Sequence, residues 1–213
     1  MDMQKLSLIP LWIIPFIFSL SFHEFAHAWV ANHMGDNTAK FMGRLSMNPQ
    51  VHIDPIGTLL FPIVSFLTGF PLIGWAKPVM INERNFKNVY RDAMFVAAAG
   101  PLSNLLLALC FTALAHMIHQ IQGGTADGWN QPLLMMAIFG IQMNVFLAFF
   151  NLIPLPPLDG GRVLRGIIPS MAQNLAYIEK YGFIVILVLL YTGILRFLLI
   201  PAYKLINVLM SIV

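Results

Sequence analysis

The sequence predicts an all-α polytopic membrane protein, a bundle of about five to six membrane segments. Hydrophobic residues make up 58% of the 213 residues and charged residues only 10%, whereas a soluble domain usually carries about 25% charged residues. The mean hydropathy of +0.76 points the same way. Apolar residues also cluster into long runs between short polar stretches, as in chains that cross a bilayer repeatedly. We therefore expect a multi-pass protein of the cell membrane.

The apolar runs long enough to cross about 30 Å of hydrocarbon are residues 8–31, 93–118, 132–153 and 183–200. Residues 203–213 form a shorter apolar piece, which we expect to pack on the bundle or lie at the interface. The net charge of +3 is small and its basic residues are scattered, so nucleic acid is not an expected partner. The single cysteine, Cys110, excludes an internal disulfide and a structural zinc site of several cysteines.

Residues 56–76 are apolar but interrupted by glycine and proline, so no uninterrupted piece is long enough for a clean helical span. We predict that residues 34–91 form a re-entrant, partly β hairpin between the first and second full spans, with the extended part at residues 78–82. With this hairpin, the ends of runs 8–31 and 132–153 face the same side. A crossing at 56–76 would instead place those two ends on opposite sides.

Charge is consistent with the hairpin, although it does not by itself exclude the crossing. No lysine or arginine lies in the loop at residues 123–131. The side that holds the basic residues should be cytoplasmic. The hairpin places these basic residues on one side: Lys40, Arg44, Lys77, Arg84, Lys87, Arg91, Arg162 and Arg165.

The first membrane run contains a His-Glu-x-x-His motif at His23, Glu24 and His27. Helix positions four apart share a face, so the two histidines can offer imidazole nitrogens to one zinc ion, with Glu24 beside them as a general base for water. Ionisable residues inside a membrane segment are costly and are therefore functional candidates. A cleavable signal peptide ending at residues 26–28 would remove the motif, but the rest of the chain is as apolar as its start.

The run 132–153 ends in a second polar group, in which Asn151 precedes three closely spaced prolines and Asp159 precedes two glycines. The prolines cannot continue a helix, so the backbone opens at membrane depth, which is tolerated where it lines a polar cavity or packs against protein. Two histidines and one carboxylate form a known catalytic zinc set, and Asp159 is the predicted third ligand. Taken alone, Asp159 would better suit a loop at the membrane surface, capping a short helix, and only its pairing with the His-Glu-x-x-His motif favours the ligand role.

These paired motifs resemble the site-2 proteases, which are intramembrane zinc metalloproteases. The family signature joins His-Glu-x-x-His to a later Asn-x-x-Pro-x-x-x-x-Asp-Gly, and this chain matches it at residues 23–27 and 151–160. Weaker similarity extends over nearly the whole chain. No region is long or polar enough for the PDZ or CBS domains of some relatives, so we expect residues 1–213 to form a single membrane-embedded peptidase domain of the compact prokaryotic type.

The resemblance implies regulated intramembrane proteolysis, in which one zinc ion serves to hydrolyse peptide bonds in or near transmembrane segments of membrane-spanning substrates. Glu24 would then act as general base and Asn151 would stabilise the oxyanion; packing or capping is the alternative role for Asn151. Asn104 could face the site or serve helix packing. Residues 74–82 could pair with an unwound substrate segment.

Two other functions fit parts of the pattern. A proteolytically silent zinc-binding scaffold would hold transmembrane partners, but it would not need Glu24. A metal transporter would use the polar residues as a pathway, yet the sequence shows no pair of similar halves with repeated broken helices. The sequence leaves the natural substrate and the oligomeric state open.

Overall fold

The computed structural model describes residues 3–68, 74–121 and 130–213. Within these ranges the chain is mainly helical and contains no β-strand. Its α-helices are α1 (Met3–His33), α2 (Thr38–Phe41), α3 (Phe61–Thr68), α4 (Val89–Ile121), α5 (Gln131–Asn151), α6 (Asp159–Ile167), α7 (Ala172–Glu179), α8 (Gly182–Tyr191), α9 (Ile194–Leu198) and α10 (Ile200–Met210). Short 3-10 turns occupy Pro49–Val51, Glu83–Asn85 and Pro169–Met171, and a π-helix occupies Pro55–Leu60.

Among the described residues, three helices are long and apolar enough to cross a membrane: Ser7–His33, Val89–Ile121 and Gln131–Asn151. The pair Pro169–Glu179 and Gly182–Tyr191, bent by 78°, gives a fourth if it is counted as one span. The prediction of a helical multi-pass protein is therefore confirmed. The predicted count of about five to six segments finds no support in this part of the chain.

Helices α1, α4 and α5 form the centre of the bundle. Trp12 and Phe16 of α1 pack with Met143 of α5 in one apolar cluster. Gly100, in the first half of α4, lies against the histidines in the last third of α1, so these two helices run in opposite directions. Asp159, a few residues beyond the end of α5, meets these histidines, so the C-terminal ends of α1 and α5 lie at the same end of the bundle, as the sequence predicts.

The apolar run at 183–200 does not form one membrane helix, which corrects the sequence-based expectation. Helix α8 ends at Tyr191, and Gly193 adopts the left-handed conformation with φ of +76°. Such a residue commonly ends a helix, and hydropathy does not report it. The next piece, α10, packs on the bundle as expected, with Ala202 and Leu209 in the cluster that contains Ile141.

The segment between α2 and α4 folds back on itself, so residues 74–77 return to residues 52–58. The N–H of Trp75 donates to the carbonyl of Gly57 at 3.0 Å, and the hydroxyl of Thr58 donates to the carbonyl of Trp75 at 2.8 Å. Residues 74–82 have no regular secondary structure. Residues 69–73 of the predicted hairpin and 122–129 of the predicted basic-free loop lie outside the described residues.

The predicted β character of the hairpin is not found in the described residues, and the hydrogen bonds explain why. Backbone N–H groups in residues 74–82 donate to unrelated acceptors: Lys77 to the carbonyl of His52, Val79 to Glu24 and Asn82 to Asp36. A ladder would need one regular partner strand. The segment is instead attached at separate points along its length.

Asp36, just after α1, is the buried anchor of this attachment. Its carboxylate accepts hydrogen bonds from the Thr38 hydroxyl, from the Asn82 N–H at 2.7 Å and from the Asn85 amide at 2.7 Å. Burial alone would raise the pKa of Asp36, but these hydrogen bonds outweigh burial and lower the pKa below its ordinary value. The ionised carboxylate therefore holds residues 82–85 close to the end of α1.

Candidate metal centre

Three side chains from two helices converge at one buried point. His23 and His27 lie one turn apart on α1, and Asp159 is the first residue of α6. The two Nε2 atoms are 3.0 Å apart, and Asp159 Oδ2 lies 3.2 Å from Nε2 of His23 and 3.3 Å from Nε2 of His27. These side chains form the one group of three or more potential ligands found in the described residues.

The far side of each imidazole shows which nitrogen carries hydrogen. Nδ1 of His27 lies 2.7 Å from the Val96 carbonyl, and Nδ1 of His23 lies 2.6 Å from Oδ1 of Asn104. A carbonyl oxygen only accepts, so each Nδ1 is the donor, and in the neutral ring each Nε2 presents a lone pair. Second-sphere acceptors of this kind orient histidine ligands in metal sites.

The residues present fit a zinc ion. Two Nε2 lone pairs and a carboxylate oxygen face one another, and Oδ2 of Asp159 is buried without a hydrogen bond. Three acceptors at such distances repel one another unless a cation lies between them. Tetrahedral zinc with ligand distances of about 2.0–2.1 Å separates its ligands by about 3.3 Å, close to the separations seen here.

Two glycines, Gly100 and Gly160, allow neighbouring backbone to pack closely around this point. An ideal Cβ on Gly100 would lie 2.6 Å from Cε1 of His23, so α4 can approach the histidines only because residue 100 is glycine. An ideal Cβ on Gly160 would lie 2.5 Å from the carbonyl carbon of Leu152. Gly160 therefore lets the end of α5 pack directly against the start of α6, and this contact positions Asp159 beside the two histidines.

Glu24 lies beside the converging group without belonging to it. Its half-buried carboxylate accepts a hydrogen bond through Oε2 from the N–H of Val79 at 2.9 Å. Asn151 ends α5, and its Nδ2 donates to the Leu147 carbonyl at 2.9 Å. In the described residues Asn151 has no hydrogen bond to His23, His27 or Asp159.

The structure shows how one residue left open by the sequence contacts the site, and it adds others that the sequence analysis did not discuss. Asn104, for which packing was the alternative interpretation, contacts His23 directly. Val79 contacts Glu24 through its backbone N–H, and Gly100 lets α4 approach the histidines because it has no side chain. No sequence motif reveals either contact. Asn144 and Ser19 are fully buried in the spans next to Asn104, and their polarity within apolar runs was an available signal.

Spanning helices around a buried group of two histidines and one carboxylate define a membrane-embedded metalloprotein. Residues 111–192 match the family model described as Peptidase family M50. YwhC of Bacillus subtilis is 40% identical over 92% of this chain and 87% of its own length, and Rip2 of Mycolicibacterium smegmatis is 30% identical over 86% and 68%. Both relatives are named as zinc metalloproteases. No solved structure gives a significant match.

The chain therefore belongs to peptidase family M50, the site-2 protease family. It is a zinc metalloendopeptidase of a membrane-embedded type.

Proposed function

We propose that this protein hydrolyses peptide bonds in or near the transmembrane segments of other membrane proteins, with residues 1–213 acting as one peptidase domain in the cell membrane. The observation that carries the proposal is the position of the metal-binding group. His23 lies within a membrane-spanning helix, and Asp159 meets it at the end of the bundle where α1 and α5 both finish. A metal centre at that depth suits a substrate that is itself in the bilayer.

In this proposal His23, His27 and Asp159 hold a single zinc ion. When bound, zinc supplies Lewis acidity, which polarises a carbonyl and makes water a stronger acid. Glu24 then takes a proton from water and returns it to the departing amine. The Val79 N–H holds one Glu24 oxygen, and Oε1 has no hydrogen bond among the described residues, so it is open to water.

Asn151 is proposed to stabilise the oxyanion that forms on the scissile carbonyl. An amide nitrogen carries two hydrogens, and the bond to the Leu147 carbonyl uses one of them. The second hydrogen is the one assigned to the oxyanion. A structural role in holding the last turn of α5 would need the first hydrogen alone.

The substrate must unwind, because a helix keeps its carbonyls in internal hydrogen bonds. We assign residues 34–91 to a re-entrant hairpin that enters and leaves the membrane on the cytoplasmic side. The return contact between Trp75 and Gly57 supports this assignment. Along residues 74–82, the N–H of Met80 meets no acceptor in the described part of the chain, and it is proposed to pair with the extended substrate.

The test is cleavage of a panel of single-span proteins by the full chain in liposomes, with zinc content measured in parallel. Glu24→Gln should keep its zinc and lose cleavage, whereas Glu179→Gln, on the exposed end of α7, should cut like the wild type. Cleavage by Glu24→Gln at the wild-type rate would contradict the role of Glu24. Zinc binding without cleavage of any substrate by the wild type would favour the scaffold alternative.

A further inference from the structure

A continuous chain of hydrogen bonds runs through the middle of the bundle and ends at His23. Asn144 Nδ2 donates to Ser19 Oγ at 2.7 Å, and Asn104 Nδ2 donates to Asn144 Oδ1 at 2.8 Å. Asn104 Oδ1 in turn lies 2.6 Å from Nδ1 of His23. Ser19, Asn104 and Asn144 are each fully buried, and they come from α1, α4 and α5. The chain thus links all three central helices to one predicted zinc ligand.

Two backbone carbonyls fix the direction of every bond in this chain. The Ser19 hydroxyl donates to the Pro15 carbonyl at 2.6 Å, so its oxygen is left to accept from Asn144. Asn144 Nδ2 also donates to the Gly140 carbonyl at 2.8 Å, which turns its Oδ1 towards Asn104. Because a carbonyl cannot donate, the bonds at Ser19 and at Asn144 cannot reverse, and these two fixed bonds set the orientation of Asn104.

The direction matters because it sets the tautomer of His23. Asn104 must turn its Nδ2 towards Asn144 and the Ser19 carbonyl, and therefore presents its oxygen to His23. An oxygen at that position requires hydrogen on Nδ1 and leaves the Nε2 lone pair free for metal. A flipped Asn104 amide would offer an N–H to Nδ1 and favour hydrogen on Nε2, where it would block the metal.

We propose that Asn144 and Ser19 are positioning residues that hold the Asn104 amide, and through it His23, in the metal-binding form. The inference rests on the proposed metal role of His23. Interhelical hydrogen bonds can also serve helix packing alone, and a packing role would change stability without changing the histidine tautomer. The two roles therefore separate in measurements of the histidine ring and of metal affinity.

The experiment measures the zinc dissociation constant of the full chain in detergent by competition with a chelator. Asn144→Leu should weaken zinc binding by up to the roughly 10–100-fold that losing a second-sphere partner usually costs, because Asn104 would no longer be held towards His23. Thr112→Val is the control on α4, because its buried hydroxyl donates only to the Ala108 carbonyl outside the chain of bonds. It should bind zinc like the wild type.

A pair of milder variants, Ser19→Ala and Ser21→Ala, tests the same proposal if Asn144→Leu does not fold. Ser19 and Ser21 are both buried on α1, and each donates to the carbonyl four residues earlier, but only Ser19 accepts from Asn144. Ser19→Ala should weaken zinc binding more than Ser21→Ala. Equal zinc affinities in these two variants would overturn the proposal.

Nitrogen-15 NMR of labelled histidines in the zinc-free protein gives the second readout, with His23→Ala used to assign the His23 signals. The wild type and Ser21→Ala should show His23 with hydrogen on Nδ1, and Ser19→Ala should show a mixture of tautomers. An unchanged tautomer in Ser19→Ala would overturn the proposal. Full zinc affinity in His23→Ala would instead contradict the proposed metal site itself, so the two failures are distinguishable.

Discussion

At the residue scale, the metal centre depends on a contact that only glycine permits. The backbone of α4 at Gly100 lies against both imidazoles, and an added Cβ would overlap His23. The neighbouring Val96 carbonyl accepts from His27, so the same stretch of α4 both approaches and orients the histidines. A single methyl group here would move the ligands, although it would not remove any of them.

We therefore expect Gly100→Ala to reduce zinc affinity and cleavage together. The added methyl group would push the rings of His23 and His27 away from α4. Moving a catalytic group by about 1 Å can lower the rate on the order of 100-fold. Leu102→Ala, on the exposed face of the same helix, is the control. Zinc titration and cleavage assays on both variants check the expectation, and a Gly100→Ala protein with wild-type zinc affinity would contradict it.

The residues of the centre differ in how far the sequence reveals them. His23, His27 and Asp159 follow from helical spacing, from the cost of ionisable groups in a membrane segment and from a helix break near the second motif. Asn104 was left open between the site and helix packing, and the hydrogen bonds that hold it could not be predicted from the sequence. Ser19 and Asn144 lie 125 positions apart, and only the packing of α1 against α5 brings them into contact.

At the element scale, residues 74–82 contact the proposed base through Val79 and carry, at Met80, an N–H that meets no acceptor in the described residues. Val79 donates to Glu24, so a proline at Val79 would remove support for the base whatever the segment does for substrate. Met80 separates the two roles, because its N–H has no acceptor in the residues described and its side chain is half exposed.

Met80→Pro should lower cleavage of single-span substrates without changing zinc content, because proline removes the N–H assigned to substrate pairing. Met80→Ala keeps that N–H and should cleave like the wild type. Cleavage rates and zinc content of the two purified variants give the comparison. If Met80→Pro cuts as fast as Met80→Ala, the segment does not pair with substrate through this group.

Elements were predictable where hydropathy alone decides them. The three long helices lie close to the predicted runs, since each needs only a sufficient apolar length. The prediction that residues 183–200 form a single span was wrong, because the helix ends before Gly193, whose left-handed backbone conformation hydropathy does not report. The β prediction for residues 78–82 failed because the available partners there are Glu24 and Asp36 side chains.

At the scale of the whole molecule, the ends of α1 and α5 and the basic hairpin belong to one side of the membrane in our proposal. The side with more lysine and arginine should be cytoplasmic. This arrangement requires that the segment between α2 and α4 does not cross. It also requires the start of α5 at Gln131 to lie on the opposite side.

Single cysteines can test this topology in a Cys110→Ser background. Lys40→Cys and Arg162→Cys should react with a membrane-impermeant thiol reagent only in inverted vesicles, whereas Gln131→Cys should react in intact cells. The three native residues are exposed, so the labels can reach them. Labelling of Lys40→Cys and Arg162→Cys from opposite sides would show that residues 56–76 cross the membrane.

The central claim is that His23, His27 and Asp159 together hold one zinc ion, and elemental analysis of the purified protein tests it most directly. We expect about one zinc per chain in the wild type, as in catalytic sites with three protein ligands. His23→Ala, His27→Ala and Asp159→Ala should each lose most of it, while His33→Ala, at the last residue of α1, should keep it. Full zinc occupancy in all three ligand variants would contradict the account.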